Sequence, residues 1–343
     1  MVTNEKKQNV CNKYREYLRI IDLLGNKMML QKQFIEIAIA LGVSKDKFKV
    51  IQGIQDLERA EIIKKIKFSG TNNKFILFKK YAIRYLAGVD KSCDVAGISV
   101  VNSNKRYIES IMKMQFILTT VIPSAKKSNI ELSLDNLITF IDKINCNILY
   151  KSNSMYKFYD KLMNSKILNF DKEEMKYDYQ ILKSEHDTRI NNLKGNLNTD
   201  EKKYRKNKVD YLFNSNIATL SRKNIYLANI TYSKKIDATR IIAYYFNMSM
   251  DKNSYFIALN YSILYNTMKR LFGSNIIMEF RVVCVNKLIQ NRILEDLNKR
   301  GINPRTKEKR TNIYLIEMLR ANGLSEIDFE KMNMKVLTYN IDV

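Results

Sequence analysis

Asp46-Lys47-Phe48-Lys49-Val50-Ile51-Gln52-Gly53-Ile54-Gln55-Asp56-Leu57-Glu58-Arg59-Ala60-Glu61-Ile62-Ile63 carries apolar side chains at Val50, Ile54, Leu57 and the Ile62–Ile63 pair. That near-helical spacing predicts a helix with one buried stripe. The remaining positions hold Lys47, Lys49, Gln52, Gln55 and Arg59, with Lys45 just ahead of them. A helix that packs on one side and offers cations and amides on the other suits a DNA major groove. Arg and Lys bond guanine edges or phosphates, and Gln meets adenine through two hydrogen bonds.

The flanks extend the pattern. Upstream, Gln31-Lys-Gln-Phe34-Ile35-Glu-Ile37-Ala38-Ile-Ala-Leu41 reads as an apolar-striped helix stopped by Gly42, a residue that tolerates the positive φ of a helix end. Before it, Tyr14 to Leu24 reads as another helix, with Tyr14, Leu18 and Ile21 inward, and residues 1–13 read as a polar, frayed lead-in. Downstream, Ile62-Ile-Lys-Lys-Ile-Lys-Phe68 turns at Ser69-Gly70-Thr71-Asn72-Asn73 and returns as Lys74-Phe-Ile-Leu-Phe-Lys-Lys80. Alternating Ile/Phe and Lys around a Gly/Asn tip predicts a hairpin.

Helix, glycine turn, helix and basic hairpin, in that order, resemble the winged helix-turn-helix superfamily, in particular the MarR-like and ArsR-like bacterial regulators. The resemblance covers about a fifth of the chain and is one of pattern. It implies that Lys47, Lys49 and Gln52 enter a major groove, with Gln55 and Arg59 nearer its margin. Lys65, Lys67, Asn72 and Lys74 of the wing would hold flanking phosphates or the minor groove. A winged helix that serves only as a protein-interaction platform is the other reading. The helix start has two readings as well: Ser44 caps a longer helix, or the turn is two residues longer and the cap is Asp46.

The 343 residues suffice for two or three domains. Lys and Arg outnumber Asp and Glu by 59 to 35, a formal charge of +24, which favours a polyanionic partner. Abundant Asn, Ile, Lys and Tyr point to an AT-rich coding sequence, yet that bias alone leaves Glu free to balance Lys. No run is apolar enough to span a bilayer, and the N-terminus lacks a signal-peptide core, so a cytoplasmic protein without membrane contact is expected. Cys11, Cys93, Cys146 and Cys284 are widely spaced and read as reduced thiols. The one histidine, His186, stands in a polar stretch and reads as a surface residue, and His-based metal sites and triads are excluded.

Beyond a Gly/Ser/Asp/Asn-rich stretch at 87–104, read as a linker, the order starts again. Helices are expected at 107–118 (closed by Pro123), at 134–141 after Ser133, and at 155–168, then a hairpin whose tip carries Asp171, Glu173 and Glu174. Residues 105–182 therefore read either as a second winged helix or as a helical spacer. Tandem winged helices resemble plasmid replication initiators of the Rep type; an acidic wing implies dimerisation or domain contact. Residues 183–215, with Lys202-Lys-Tyr-Arg-Lys-Asn-Lys208, read as a basic polar linker. From 216 to 343 the period changes. Strands are expected at 224–232, 254–261 and 276–285, helices at 237–247, 262–272, 287–297 and 313–319, a basic loop around Pro304, and a polar tail. The expectation is an α+β protein: N-terminal winged helix-turn-helix, the two-way middle segment, and a C-terminal α/β domain.

No phosphate loop, dinucleotide fingerprint, HExxH or GxSxG occurs. Glu279-Phe280-Arg281 superficially resembles the acid-x-Lys core of restriction-type nucleases, but offers Arg for Lys and no nearby Asp, so Glu279 reads as an edge or surface carboxylate. Tyr244-Tyr245-Phe246 reads as core packing in preference to base stacking. The expected function is sequence-specific binding of double-stranded DNA by a non-enzymatic homodimer, without cofactor or metal and with any small-molecule effector unspecified. A transcriptional regulator is favoured over a replication-initiation, mobilisation or segregation protein of a plasmid or phage, and both over a nuclease.

Overall fold

The computed structural model describes residues 2–68, 72–91, 95, 104–144, 146–149, 220, 223–233, 235–248, 275–298, 301–302, 309–310 and 333–339, with single helical positions at 257, 260, 261, 264, 265 and 268. Two compact units result, Met1–Lys143 and Ile144–Asn340. Both mix helix and strand, and the chain is α+β with two principal sheets.

In the first unit the order is α1 (Asn4–Lys13), α2 (Arg15–Leu23), β1 (Met28–Leu30), α3 (Gln31–Ala40), α4 (Lys47–Arg59), β2 (Ile63–Lys67), β3 (Lys74–Phe78) and α5 (Lys80–Ala87). Three antiparallel strands form a sheet ordered β1-β3-β2. Leu18 and Ile21 of α2, Phe34 and Ile37 of α3, Val50, Ile54 and Leu57 of α4, and Phe75 and Ile76 of β3 are buried together as its core. Gly42 follows α3 with φ +69°, and its N–H and that of Val43 close on the carbonyls of Ile39 and Ala38. That doubly bonded C-terminus needs a left-handed residue, which is why glycine stands there.

Residues 4–13 are not frayed. They form α1, capped by Thr3 and bearing the buried Cys11. Tyr81 Oη donates to the Asn4 carbonyl and Tyr85 Oη to Asn12 Oδ1. A single buried residue inside a polar helix leaves little hydrophobic signal, and the anchoring is done by polar contacts that sequence periodicity does not register.

The first unit also takes in α6 (Asn104–Phe116), α7 (Ile122–Lys127) and α8 (Leu134–Lys143), where the sequence places a domain start at 105. Tyr107 packs its ring on Phe68 and Phe75, 5.4 and 4.8 Å between centroids. Gln33 Nε2 donates to the Ile111 carbonyl and Ser110 Oγ to that of Met28, both buried. Arg19 of α2 forms an ion pair with Asp135 of α8. Helix α6 thus covers a sheet face that would otherwise expose phenylalanines. The helical path also runs on through Pro123 instead of closing there. One π-helical turn, Ile117–Val121, precedes the proline; a widened turn accommodates its ring and missing N–H. The second hairpin and its acidic tip, the linker at 183–215, Cys93 and His186 lie outside the described residues.

The second unit holds a four-stranded sheet ordered β4 (Ile225–Ser233), β5 (Ala238–Asn247), β6 (Ile276–Cys284), β9 (Asn333–Thr338). β4 and β5 are antiparallel, and β5, β6 and β9 run parallel. Short strands β7 (Gly301–Ile302) and β8 (Lys309–Arg310) pair within the stretch expected as a basic loop. Asn147 serves the outer edge of β4, its Nδ2 donating to the Ile225 carbonyl and its Oδ1 accepting from Leu227 N. Two expectations are corrected. Residues 238–247 are strand, not helix: β5 lies between two strands with nearly every residue buried, and a continuous apolar run does not separate buried strand from buried helix. Ile257, Asn260 and Tyr261 are helical, not strand; with Leu264, Tyr265 and Met268 they recur in steps of three and four, all buried. β9 occupies what reads as a polar tail, and the helix expected at 313–319 lies outside the described residues. Helix α9 (Lys287–Asn298) crosses from β6 to β9, with Gln290 Nε2 donating to the Val336 carbonyl.

At Gly53, in the buried stripe of α4, a Cβ would stand 2.6 Å from the Tyr17 ring and 2.8 Å from that of Tyr14. Gly53→Ala is therefore expected to lower stability by about 1–2 kcal/mol, overpacking outweighing the better helix propensity of alanine. Thermal unfolding followed by circular dichroism checks this.

Candidate nucleic-acid interface

The register of α4 follows from its cap. Asp46 is the N-cap, its Oδ1 accepting from Phe48 N at 2.8 Å. Ser44 stays outside the helix, where its Oγ accepts from Asp46 N and donates to the Asp46 carbonyl. Of the two readings of the start, the longer turn is the one present. At about 100° per residue, buried Val50, Gly53, Ile54 and Leu57 define the inner side. Directly opposite, in steps of four, three and four, stand Phe48, Gln52, Gln55 and Arg59. Lys47 and Lys49 lie about a quarter-turn to either side of Phe48.

Lys45, Lys47, Lys49, Gln52 and Arg59 are exposed and Gln55 is half-buried. Lys47 and Lys49, expected at the centre, thus flank the line, and Gln55 and Arg59, expected at its margin, stand on it. Phe48 has no place in the sequence expectation, yet its ring is 79 % exposed. Counting back four from Gln52, with Val50 on the inner side, is the signal that finds it.

The hairpin stands beside this helix. β2 and β3 pair in register from Ile63↔Phe78 to Lys67↔Lys74, and Phe68 N donates to the Asn73 carbonyl; tip residues 69–71 lie outside the described residues. Strand alternation puts Lys65, Lys67 and Lys74 on one face. That face looks to α4, since Lys65 Nζ meets Glu58 Oε2 at 2.5 Å. Lys65 is consequently tied down, its side chain 18 % exposed. Lys67, Asn72 and Lys74 are exposed. Lys67 and Lys74 are direct cross-strand partners, an arrangement in which like charges repel.

A polar cluster braces the helix from one side. Tyr14 Oη donates to Asp56 Oδ2 at 2.6 Å, Lys13 Nζ lies 3.6 Å from the same oxygen, and Gln52 Nε2 donates to Asp56 Oδ1 at 2.9 Å. The Tyr14 hydroxyl holds the Asp56 carboxyl below its ordinary range against a smaller effect of burial, with Gln52 and Lys13 adding to it. Gln52 keeps its second amide hydrogen and its carbonyl for another partner. Asp56 and Glu58, which the sequence pattern leaves out of the site, thus orient Gln52 and Lys65.

In the second unit Glu279 lies on β6, between β5 and β9, and is buried, neither an edge nor a surface residue. Arg281 Nε donates to Glu279 Oε1 at 2.7 Å, Lys335 Nζ lies 3.0 Å from the same oxygen, and Arg281 reaches the Tyr244 hydroxyl. Burial would push the Glu279 carboxyl up, but Arg281 and Lys335 outweigh it and hold the group below the usual carboxylate range. Two cations meet one oxygen of the carboxylate, and through Lys335 on β9 and the Arg281–Tyr244 contact on β5 it links three parallel strands. Tyr244, Tyr245 and Phe246 are buried in the same sheet. Burial pushes the thiols of Cys11, Cys146 and Cys284 up to about 12, the state of inert, free cysteines. Among the described residues no group of three or more His, Cys, Asp or Glu could hold a metal ion, and no helix is long and apolar enough to cross a membrane.

No family model, no curated protein and no solved structure matches the chain.

Two outcomes are expected from these clusters. The lowered Asp56 carboxyl contributes stability that is present above the ordinary carboxylate value and lost as pH falls through the folded one. The melting-temperature gap between the wild type and Tyr14→Phe should therefore be full at pH 6–7 and close below about pH 4, as a melting series in pH would record. Glu279→Ala leaves a half-buried Arg281 without its carboxylate and should lower the stability of the second unit by about 2 kcal/mol, measurable by urea titration.

Proposed function

We propose that residues 14–86 form a winged helix-turn-helix that binds double-stranded DNA in a sequence-specific manner, and that the protein acts as a transcriptional regulator. The observation that carries this reading is the outer side of α4. A line of Gln52, Gln55 and Arg59 runs straight along a helix of 13 residues, flanked by exposed lysines and facing away from the core. Such a line meets base edges when a helix lies in a major groove, while Lys45, Lys47 and Lys49 meet the bordering phosphates.

The order helix, strand, helix, helix, hairpin, with β1 joined to β3, supports the winged-helix reading. The Lys67–Lys74 pair supports a polyanion in particular. Two like charges at the end of a hairpin disfavour it until an anion lies between them, and a phosphate backbone supplies a row of anions. The formal charge of +24 acts in the same direction at longer range. Regulators of this architecture act as dimers, so the chain is proposed to bind as a homodimer on a two-fold site.

Selection from a random duplex library at near-physiological salt tests the proposal. A palindromic enriched site supports a dimeric regulator, iterated direct repeats support a replication initiator, and no enrichment rejects specific duplex binding. Replacing Gln52, Gln55 and Arg59 by alanine should abolish site preference. Alanine at Lys47, Lys49, Lys67 and Lys74 should weaken all duplexes alike, lowering the slope of log affinity on log salt by about 0.9 for each phosphate no longer neutralised. Equal losses from both sets on every sequence would refute the assignment of α4 to the groove.

A further inference from the structure

We infer that Phe48 reads the C5-methyl group of a thymine, so that the site bound by α4 contains a thymine recognised by apolar contact. The inference rests on the groove reading of α4 and goes beyond it to the base. Phe48 is the second residue of the helix, on the same outward line as Gln52, Gln55 and Arg59, and 79 % exposed. It is the most exposed large apolar side chain among the described residues. Covering a phenyl ring that stands in water with an apolar partner is favourable.

The chemistry of its surroundings selects that partner. Lys47 and Lys49 lie about a quarter-turn to either side of Phe48 on the helix and Lys45 just ahead of the cap, all exposed and none in an ion pair among the described residues, with Gln52 one turn on. A protein–protein contact centres on an apolar patch from which charged side chains are depleted, and a lone aromatic flanked by lysines is the reverse. A duplex offers the complementary arrangement: a groove walled by phosphates for the lysines, and the thymine methyl as the apolar group on the major-groove edges of the bases. Four residues along, Gln52 keeps an amide hydrogen and a carbonyl, the pair that reads adenine. The two together predict an A·T-rich core to the site, the methyl contacted by Phe48 and a neighbouring adenine by Gln52.

The test runs full-length wild type and Phe48→Ala against two random duplex libraries, one made with thymine and one with deoxyuridine in its place. The two bases pair alike and differ in that methyl. The wild type should enrich a motif from the thymine library with a thymine whose replacement by deoxyuridine weakens binding about three- to tenfold, the scale of one buried methyl. Phe48→Ala should melt like the wild type, since the ring makes no core contact, should lose the preference at that one position, and should bind thymine and deoxyuridine duplexes equally. If the wild type enriches a motif that tolerates deoxyuridine at every position, the thymine inference is overturned while duplex recognition stands. If it enriches nothing from either library, the groove reading fails and the inference with it. If Phe48→Ala instead lowers the self-association of the protein in sedimentation, the ring is a protein contact and the inference is likewise overturned.

Discussion

The first unit depends on how closely α4 approaches the tyrosines of the N-terminal helices. Gly53 has no Cβ, and the rings of Tyr14 and Tyr17 occupy the space where one would be. Tyr17 passes the constraint inward through an edge contact with Phe34 of α3, 5.4 Å between centroids. Tyr14 passes it sideways through its hydroxyl to Asp56. The rotation of α4 about its own axis is thereby set from both sides. Which side chains face out follows from that rotation: a shift of one residue, about 100°, would turn Phe48 and Gln52 off the outward line. Specific recognition requires that line to be held still before a ligand arrives, since ordering it on binding would cost affinity.

Much of this is legible in the sequence, for a definable reason. Helices α2 to α4 each bury one face, and one-sided burial leaves a period in the chain; the hairpin, whose β3 is buried on both faces, is announced instead by the Gly/Asn tip between its strands. Gly42 also announces its helix end, because few residues other than glycine accept that backbone conformation. Legibility fails where burial is two-sided or polar. Thr239 to Phe246 is buried on both faces of β5, which erases the period, and its β-branched and aromatic content is the signal to weigh instead. α1 is held by Tyr81, Tyr85 and the Lys7–Glu61 pair, contacts between residues far apart in the chain that no window of sequence contains.

Within the candidate interface the same distinction holds. Lysines and glutamines announce a basic, donor-rich helix, but their order around it depends on where the helix begins. Asp46 and Ser44 compete for the cap on sequence grounds, and hydrogen bonds decide it. Phe48 escapes notice because an aromatic residue in an amphipathic helix is read as core by default. Asp56 and Glu58 escape because carboxylates look out of place near phosphates; their work is to hold Gln52 and Lys65.

Helix α1 grips α4 along its length. Lys7 meets Glu61 at 3.0 Å just past the C-terminus of α4, and Lys13 and Tyr14 meet Asp56 nearer its middle. Glu61 stands with φ +58°, a conformation disfavoured for glutamate, at the turn that leads from α4 into β2. The first thirteen residues, so polar that they read as expendable, are therefore a splint laid along the helix. Trimming them as though they were a tail would leave every outward side chain of α4, and the tyrosines beside Gly53, in the chain while removing the two ion pairs that hold the helix at its end and its middle.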